Sequence, residues 1–412
     1  MPELAIGERG VGTLIDLFSV LDESDKDRFP NRLAISPDAS IHAARLALRG
    51  FGDPQGALTG LEEQIKLARI LMRSVRFDVV ERVVSERGWS PQKIFSLGAD
   101  LHRLSALLNV QLHQLDTARG HLLRAIACRP DDPNLAFYLV DVYCQERRFV
   151  DGFTLLDRTF EAFAPGRPEH LLGLYRLTLD AHTAGALTDA TQLYESILRK
   201  PNIGVFAELA TRQLHHIEIG ANALPASNVL NYHYAHGWDK LKASDFEGAL
   251  SSFCDILAWR PDHEASWFAV GDIFTRGVSQ KGLSGEGQDN IRINICPDLD
   301  DLRRGELLNA VQSLRIASSF DNDPNVAWES HQLLTACYLE LAEPMQAVRT
   351  ATVLTEKDPD RAASWATLSM ARLVNLEFKG AVDAASKALS IDSSDSAAKM
   401  VLATLKTIVD SA

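Results

Sequence analysis

His215, His216, His233 and His236 form the densest group of imidazoles in the chain, and His233 and His236 share a helix face at i, i+3, a spacing that lets two histidines hold one metal ion. A tetrahedral metal centre needs further ligands, and no Asp, Glu or Cys stands at a matching spacing, so the pair reads as interior histidines and no metal is expected. Cys296-Pro297-Asp298-Leu299-Asp300-Asp301 is rich in oxygen donors but lacks the order and the closing Glu of a calcium loop; it reads as an acidic helix start. Gly282, Gly285 and Gly287 crowd together without a preceding strand or a Lys-Ser/Thr pair, which makes a poor phosphate cradle. Nucleophile-elbow and zinc-protease motifs are absent from the sequence. The reading is a non-enzyme without a cofactor.

Charge narrows the partners. The chain of 412 residues carries 42 Lys+Arg against 55 Asp+Glu, a net charge of −13, and no dense basic block, which argues against nucleic acid as the main partner. Apolar stretches fall far short of the roughly 20 residues that span a bilayer, so no membrane insertion is expected. Met1-Pro2-Glu3-Leu4 offers no basic n-region, and Glu8 and Arg9 interrupt any apolar core of a secretory leader; a cytoplasmic location is expected. Cys128, Cys144, Cys254, Cys296 and Cys337 are widely spaced and odd in number, as reduced thiols packed like small apolar residues would be.

The elements that must position any site come from an internal repeat. Ala118-x3-Leu122-x2-Ala125-x4-Pro130 recurs as Ala249-x3-Phe253-x2-Ile256-x4-Pro261 and as Ala347-x3-Ala351-x2-Leu354-x4-Pro359, and Ala381-x3-Ala385-x2-Ala388 follows 34 residues after Ala347. Trp267 and Val270 precede one copy as Trp365 and Leu368 precede another. A small residue lets two helices cross closely, the large apolar residues four and seven positions on share its face, and the proline ends the second helix. With 46% hydrophobic residues there is material for a large core.

This pattern resembles the tetratricopeptide repeat, a pair of antiparallel helices of 34 residues. The resemblance implies an all-α, right-handed α-solenoid of about eight helix pairs, beginning near Leu61, Ala99, Pro133, Leu171, Leu230, Glu264, Trp328 and Ala362, with terminal capping helices. The organisation expected is an N-terminal helical cap with a flexible segment over 1–60, an array over 61–229 with an irregular junction near 201–229, and a second array over 230–395. An insertion interrupts the second array at about 278–303, and a capping helix follows over 396–412. Between Pro201 and Leu230 the residues from Val205 to Gly220 form either an inserted helix or half of a degenerate repeat.

In the family resembled, a concave groove is lined by set positions of the first helix of each pair. Carried onto this chain, those positions give Arg103, Asn134, Phe137, Asp141, Tyr175, His182, Asn231, Tyr234, Trp238, Phe268, Asp272 and Arg276 as partner-binding residues. Tyr175, Tyr234, Trp238 and Phe268 are the expected aromatic anchors, with packing between repeats as the competing reading for each. The family's carboxylate clamp is missing, because Leu107 follows Arg103 at its Asn position, and Asp141 and Asp272 beside aromatics suit a neutral or basic ligand. The function expected is a non-catalytic scaffold or adaptor for a protein or peptide, with a homo-oligomer compatible. The alternatives are a regulatory subunit of a separate enzyme, such as a transferase or an assembly machine, and a peptide-sensing regulator.

Overall fold

The computed structural model describes residues 43–44, 46–50, 52–62, 65, 91–164, 167–277, 301–320 and 322–411, and every regular element among them is a helix. Residues 1–42 of the N-terminal cap expected over 1–60, most of the repeat expected at Leu61, and residues 278–300 of the insertion, with Cys296 and the glycine-rich run, lie outside the described residues. Packing divides the chain into two compact units, Met1–Pro165 and Gly166–Ala412.

Unit 1 holds two consecutive helix pairs: α1 (Pro91–Gln111) with α2 (Leu115–Cys128), and α3 (Pro133–Gln145) with α4 (Phe149–Phe163). Unit 2 opens with α5 (Pro168–Thr183) and α6 (Leu187–Leu198), followed by a single helix, α7 (Val205–Glu218). The next pairs are α8 (Ser227–Lys242) with α9 (Phe246–Trp259), and α10 (Glu264–Arg276) with α11 (Asp301–Phe320). The last are α12 (Pro324–Glu340) with α13 (Pro344–Lys357), and α14 (Ala362–Val374) with α15 (Phe378–Ile391), closed by α16 (Ser396–Ser411). Within each unit the pairs stack as an all-α solenoid, each helix packing on the next except that α7 packs on α9 rather than on α8. The small residues that set the repeat, Ala118, Ala190, Ala249, Ala310, Ala347 and Ala381, are all completely enclosed at the helix crossings.

Two kinds of helix end recur along both units. The first helix of a pair closes on a left-handed residue: His113 (φ 56°), Arg147 (59°), Gly185 (78°), Ser244 (60°), Ala342 (58°) or Leu376 (62°). At each of these the left-handed residue's N–H bonds the carbonyl three back while the next N–H reaches five back, as His113 to Val110 (3.0 Å) and Gln114 to Asn109 (2.8 Å). This is the Schellman closure, and it turns the chain directly into the second helix. Four second helices end instead on an extended residue, Arg129, Ala164, Arg260 and Asp358, with φ between −148° and −128°, whereas α6 ends on the helical Arg199 (φ −85°). Each of the four precedes a proline, whose ring forbids its predecessor the helical conformation.

Helix α7 breaks the pairing. It closes at Gly220 (φ 75°), with Gly220 N–H to Ile217 (3.2 Å) and Ala221 N–H to His216 (2.8 Å), the ending of a first helix. Yet α8, the next helix, ends the same way at Ser244. Helix α7 is therefore the first half of a repeat that lacks its second helix. It packs against α5, α6 and α9, and α5 in turn reaches α11.

The closures supply a test. Leu376 is 72% exposed yet holds a left-handed φ of 62°, so its side chain contributes little burial at a position that strains any residue with a Cβ. Leu376→Gly should raise stability by about 0.5–1 kcal/mol in reversible denaturation. A loss of stability would show that Leu376 makes contacts that outweigh the strain.

Candidate functional site

The centre of unit 2 is an aromatic column. Tyr194 of α6, Tyr175 of α5, Phe206 of α7 and Trp267 of α10 follow one another with ring centroids 5.8, 5.8 and 5.3 Å apart, and all four are fully buried. The Trp267 indole N–H donates to the Pro261 carbonyl at 2.9 Å, as the equivalent Trp365 does to Pro359 at 2.8 Å. The Tyr175 hydroxyl donates to the Ala258 carbonyl at 2.8 Å, and the Gln213 side-chain amide donates to the same oxygen at 2.5 Å. Ala258 lies in the last turn of α9, where a carbonyl has no helical N–H left to accept from, so side chains of α5 and α7 satisfy it. Burial drives the Tyr175 hydroxyl far above its ordinary range and raises that of Tyr194, which keeps both phenols neutral.

Beside the column, Trp259 packs between His182 and His216, with ring centroids 5.4 and 5.2 Å away. His182 Nε2 lies 3.1 Å from Asn222 Oδ1. Burial lowers the pKa of both histidines and of His263, favouring the neutral rings. Cys254 and Cys337 are buried thiols pushed up to about 12 and about 11, which makes them inert as nucleophiles at neutral pH. Cys128 and Cys144 are half-buried, and none of these four forms a disulfide.

Three of the expected groove residues need correction. Tyr175 and His182 are completely enclosed, because α7, α9 and the residues around Asn222 close over the face of α5 that a regular stack would leave open. Asp272 is also buried, held by the exposed Arg276 at 2.9 Å, and Phe268 packs on the cluster of Leu307, Ala310 and Leu314. In unit 1, Arg103 sits 3.6 Å from Asp100, and Asn134 donates to the Asp132 carboxylate that caps α3. Phe137 meets Phe160 at 5.5 Å, and Asp141 is exposed.

The remaining residues converge on α8. Among the described helices its one extensive neighbour is α9. Tyr234 and Trp238 are half-buried edge-on to Phe253, at 6.1 and 5.6 Å, with Gly237 leaving room for that ring. Asn231 is exposed on the same helix. Beside it stands Tyr232, which the groove positions pass over: it is 63% exposed and stacks on His236 at 5.5 Å and 18°. Ile219, Leu224 and Val229, on the connection into α8 and its first turn, are exposed as well. The sequence signal for them is an apolar residue every three to five positions just after Gly220, where a second helix is missing. His233, the other half of the expected pair, faces Asp255 at 3.3 Å, and among the described residues no group of three or more metal-binding side chains occurs.

No family model matches the chain, and no curated protein matches it. Solved structures to which the chain is similar include a tetratricopeptide repeat protein from Parabacteroides merdae, at 12% identity over 75% of this chain and 99% of that one, with a TM-score of 0.29. The Cut9–Hcn1 hetero-tetramer of the APC/C matches at 11% identity over 80% of this chain and 59% of that one, with a TM-score of 0.32. The TPR2AB domain of yeast Sti1 in its pHSP90 complex matches at 12% identity, over 75% and 96%, with a TM-score of 0.23. The tetratricopeptide-like character of the chain stands on its own 34-residue recurrence, its enclosed small residues and its recurring helix ends.

The neutral histidines give a pH prediction. A lowered folded-state pKa means that the unfolded chain binds the proton first, so their contribution is complete above about 6.5 and is lost as pH falls below it. Burial raises Asp180 and Glu264, which act in the opposite sense, so the comparison is with a variant. Between pH 7 and pH 5, the parent should lose roughly 2–4 °C more in melting temperature than His182→Gln. Equal losses would place His182 outside the acid response.

Proposed function

We propose that the chain is a non-catalytic scaffold that binds a partner protein or peptide through α8 and the connection leading into it. The observation that carries this reading is Tyr232, a large ring held in place by stacking on His236 while most of its surface faces solvent. A pre-positioned aromatic costs little side-chain entropy on binding, which is why such residues dominate interface energies. Exposed Ile219, Leu224 and Val229 supply apolar contact area in the same stretch, and Asn231 supplies a hydrogen-bonding edge. Tyr234 and Trp238 contribute their outward edges and anchor α8 on Phe253, and Arg276 offers a cation on α10. Tyr175 and His182 support this surface from inside. Histidines that would be needed for chemistry are engaged otherwise, His233 with Asp255 and His236 with Tyr232.

Affinity capture with the full chain, quantified against variants, tests the reading. Val229→Ser with Tyr232→Ala should melt within a degree or two of the parent and recover a specific partner at least about tenfold less efficiently. Trp238→Ala should lower the melting temperature, because its ring fills space against Phe253. Full recovery by the Val229/Tyr232 variant would move the binding surface elsewhere.

A further inference from the structure

A cavity of about 410 Å3 opens in unit 2 between α7 and α9 and is completed by Phe274 of α10 and Asn309 of α11. Its walls differ in chemistry. Val205, Ala207, Leu250 and Phe274 give carbon surface, whereas Glu208 and Glu247 bring carboxylates. Arg212, the one cation in the lining, is already committed: its Nε donates to Glu208 at 2.7 Å, one terminal nitrogen pairs with Asp255, and the other meets the Ser251 hydroxyl at 3.2 Å. Two carboxylates thus share one guanidinium, and Glu247, at the start of α9, has no cationic partner among the described residues. The balance of the site is negative. The cavity also lies close to the α8 surface, since Asp255 bridges Arg212 to His233 of α8.

An occupant must match both halves: an aliphatic stem for the carbon walls and a positive head for the carboxylates. At the small end of the ~300–1,000 Å3 range of ligand pockets, the volume suits one long side chain better than a folded element. We propose that this cavity receives an arginine side chain of a partner, its stem along Val205 and Leu250 and its guanidinium between Glu208 and Glu247. Arginine fits better than lysine because its planar fork can donate to two carboxylates at once and loses less hydration on entering a partly apolar space. Asn309 provides a further amide beside the opening, near Gly204, where a Cβ would approach its oxygen to 2.9 Å. The assignment deepens the scaffold reading and rests on it for biological meaning, but the binding chemistry belongs to the cavity alone.

The experiment uses the full chain and small probes: N-acetyl-arginine amide, its neutral isostere N-acetyl-citrulline amide, and N-acetyl-lysine amide, each titrated by saturation-transfer NMR. Arginine amide is expected to bind at least about tenfold more tightly than citrulline amide, with lysine amide between them. Glu247→Gln, which disturbs no ion pair, should weaken arginine amide at least about fivefold, and Leu250→Trp, which fills the cavity, should abolish its binding. Should Leu250→Trp fail to fold, Ser251→Leu at the same wall serves the same purpose. Equal binding of arginine and citrulline amides, no binding at all, or binding unmoved by both substitutions overturns the proposal. These probes contain no partner surface, and Tyr232→Ala should leave them unaffected, so a failed cavity and a failed α8 surface give different results.

Discussion

The carbonyl of Ala258 organises unit 2. This oxygen, in the last turn of α9, receives no backbone amide among the described residues, and leaving it bare inside a core would cost about 1–3 kcal/mol. Here Tyr175 and Gln213 both donate to it, which ties α5 and α7 to the end of α9 across 83 and 45 residues of sequence. Those two bonds fix the rings beside them: Tyr175 stands in the column from Tyr194 to Trp267, and Trp259, next to Ala258, is held between His182 and His216. The neutral histidines and the buried phenols follow from this closure, since the packing that satisfies Ala258 also keeps water from their rings.

The closure depends on a missing element. Helix α7 ends as the first helix of a pair does, but α8 follows it with the same kind of ending, so no second helix separates α7 from α9. Direct contact between α7 and α9 creates the small cavity lined by Glu208 and Leu250, and it leaves α8 with one extensive neighbour among the described helices. An exposed Tyr232 is the consequence on one side of α8, a contact from His233 to Asp255 on the other. Departure from regular stacking therefore produces both features that suit recognition, which a strictly periodic array would bury or repeat.

Local rules made the pairing legible. Small residue, large residue four on and proline twelve on describe contacts within and between neighbouring helices, and Ala118, Ala249 and Ala347 are enclosed because such contacts are set by helical geometry alone. Non-local closure was not legible in that way. Tyr175 and His182 occupy positions that face a groove in a regular stack, and only the approach of α9, far along the chain, turns that face inward. Gly220 carried the needed signal, a left-handed residue at the end of a first helix, while Pro225, five residues on, leaves no room for a second helix. Tyr232 escaped notice because it lies between the helix positions that line grooves in regular repeats.

Native-state hydrogen exchange on the parent and on Tyr175→Phe tests the central role of the Ala258 carbonyl most directly. If this node joins the three helices, losing one hydroxyl should lower the protection of slowly exchanging amides in α5, α7 and α9 together, by about 1–2 kcal/mol each, while α12 to α15 change less. Loss of protection confined to α5 would contradict the account, for it would mean that α7 and α9 hold their places without the shared acceptor.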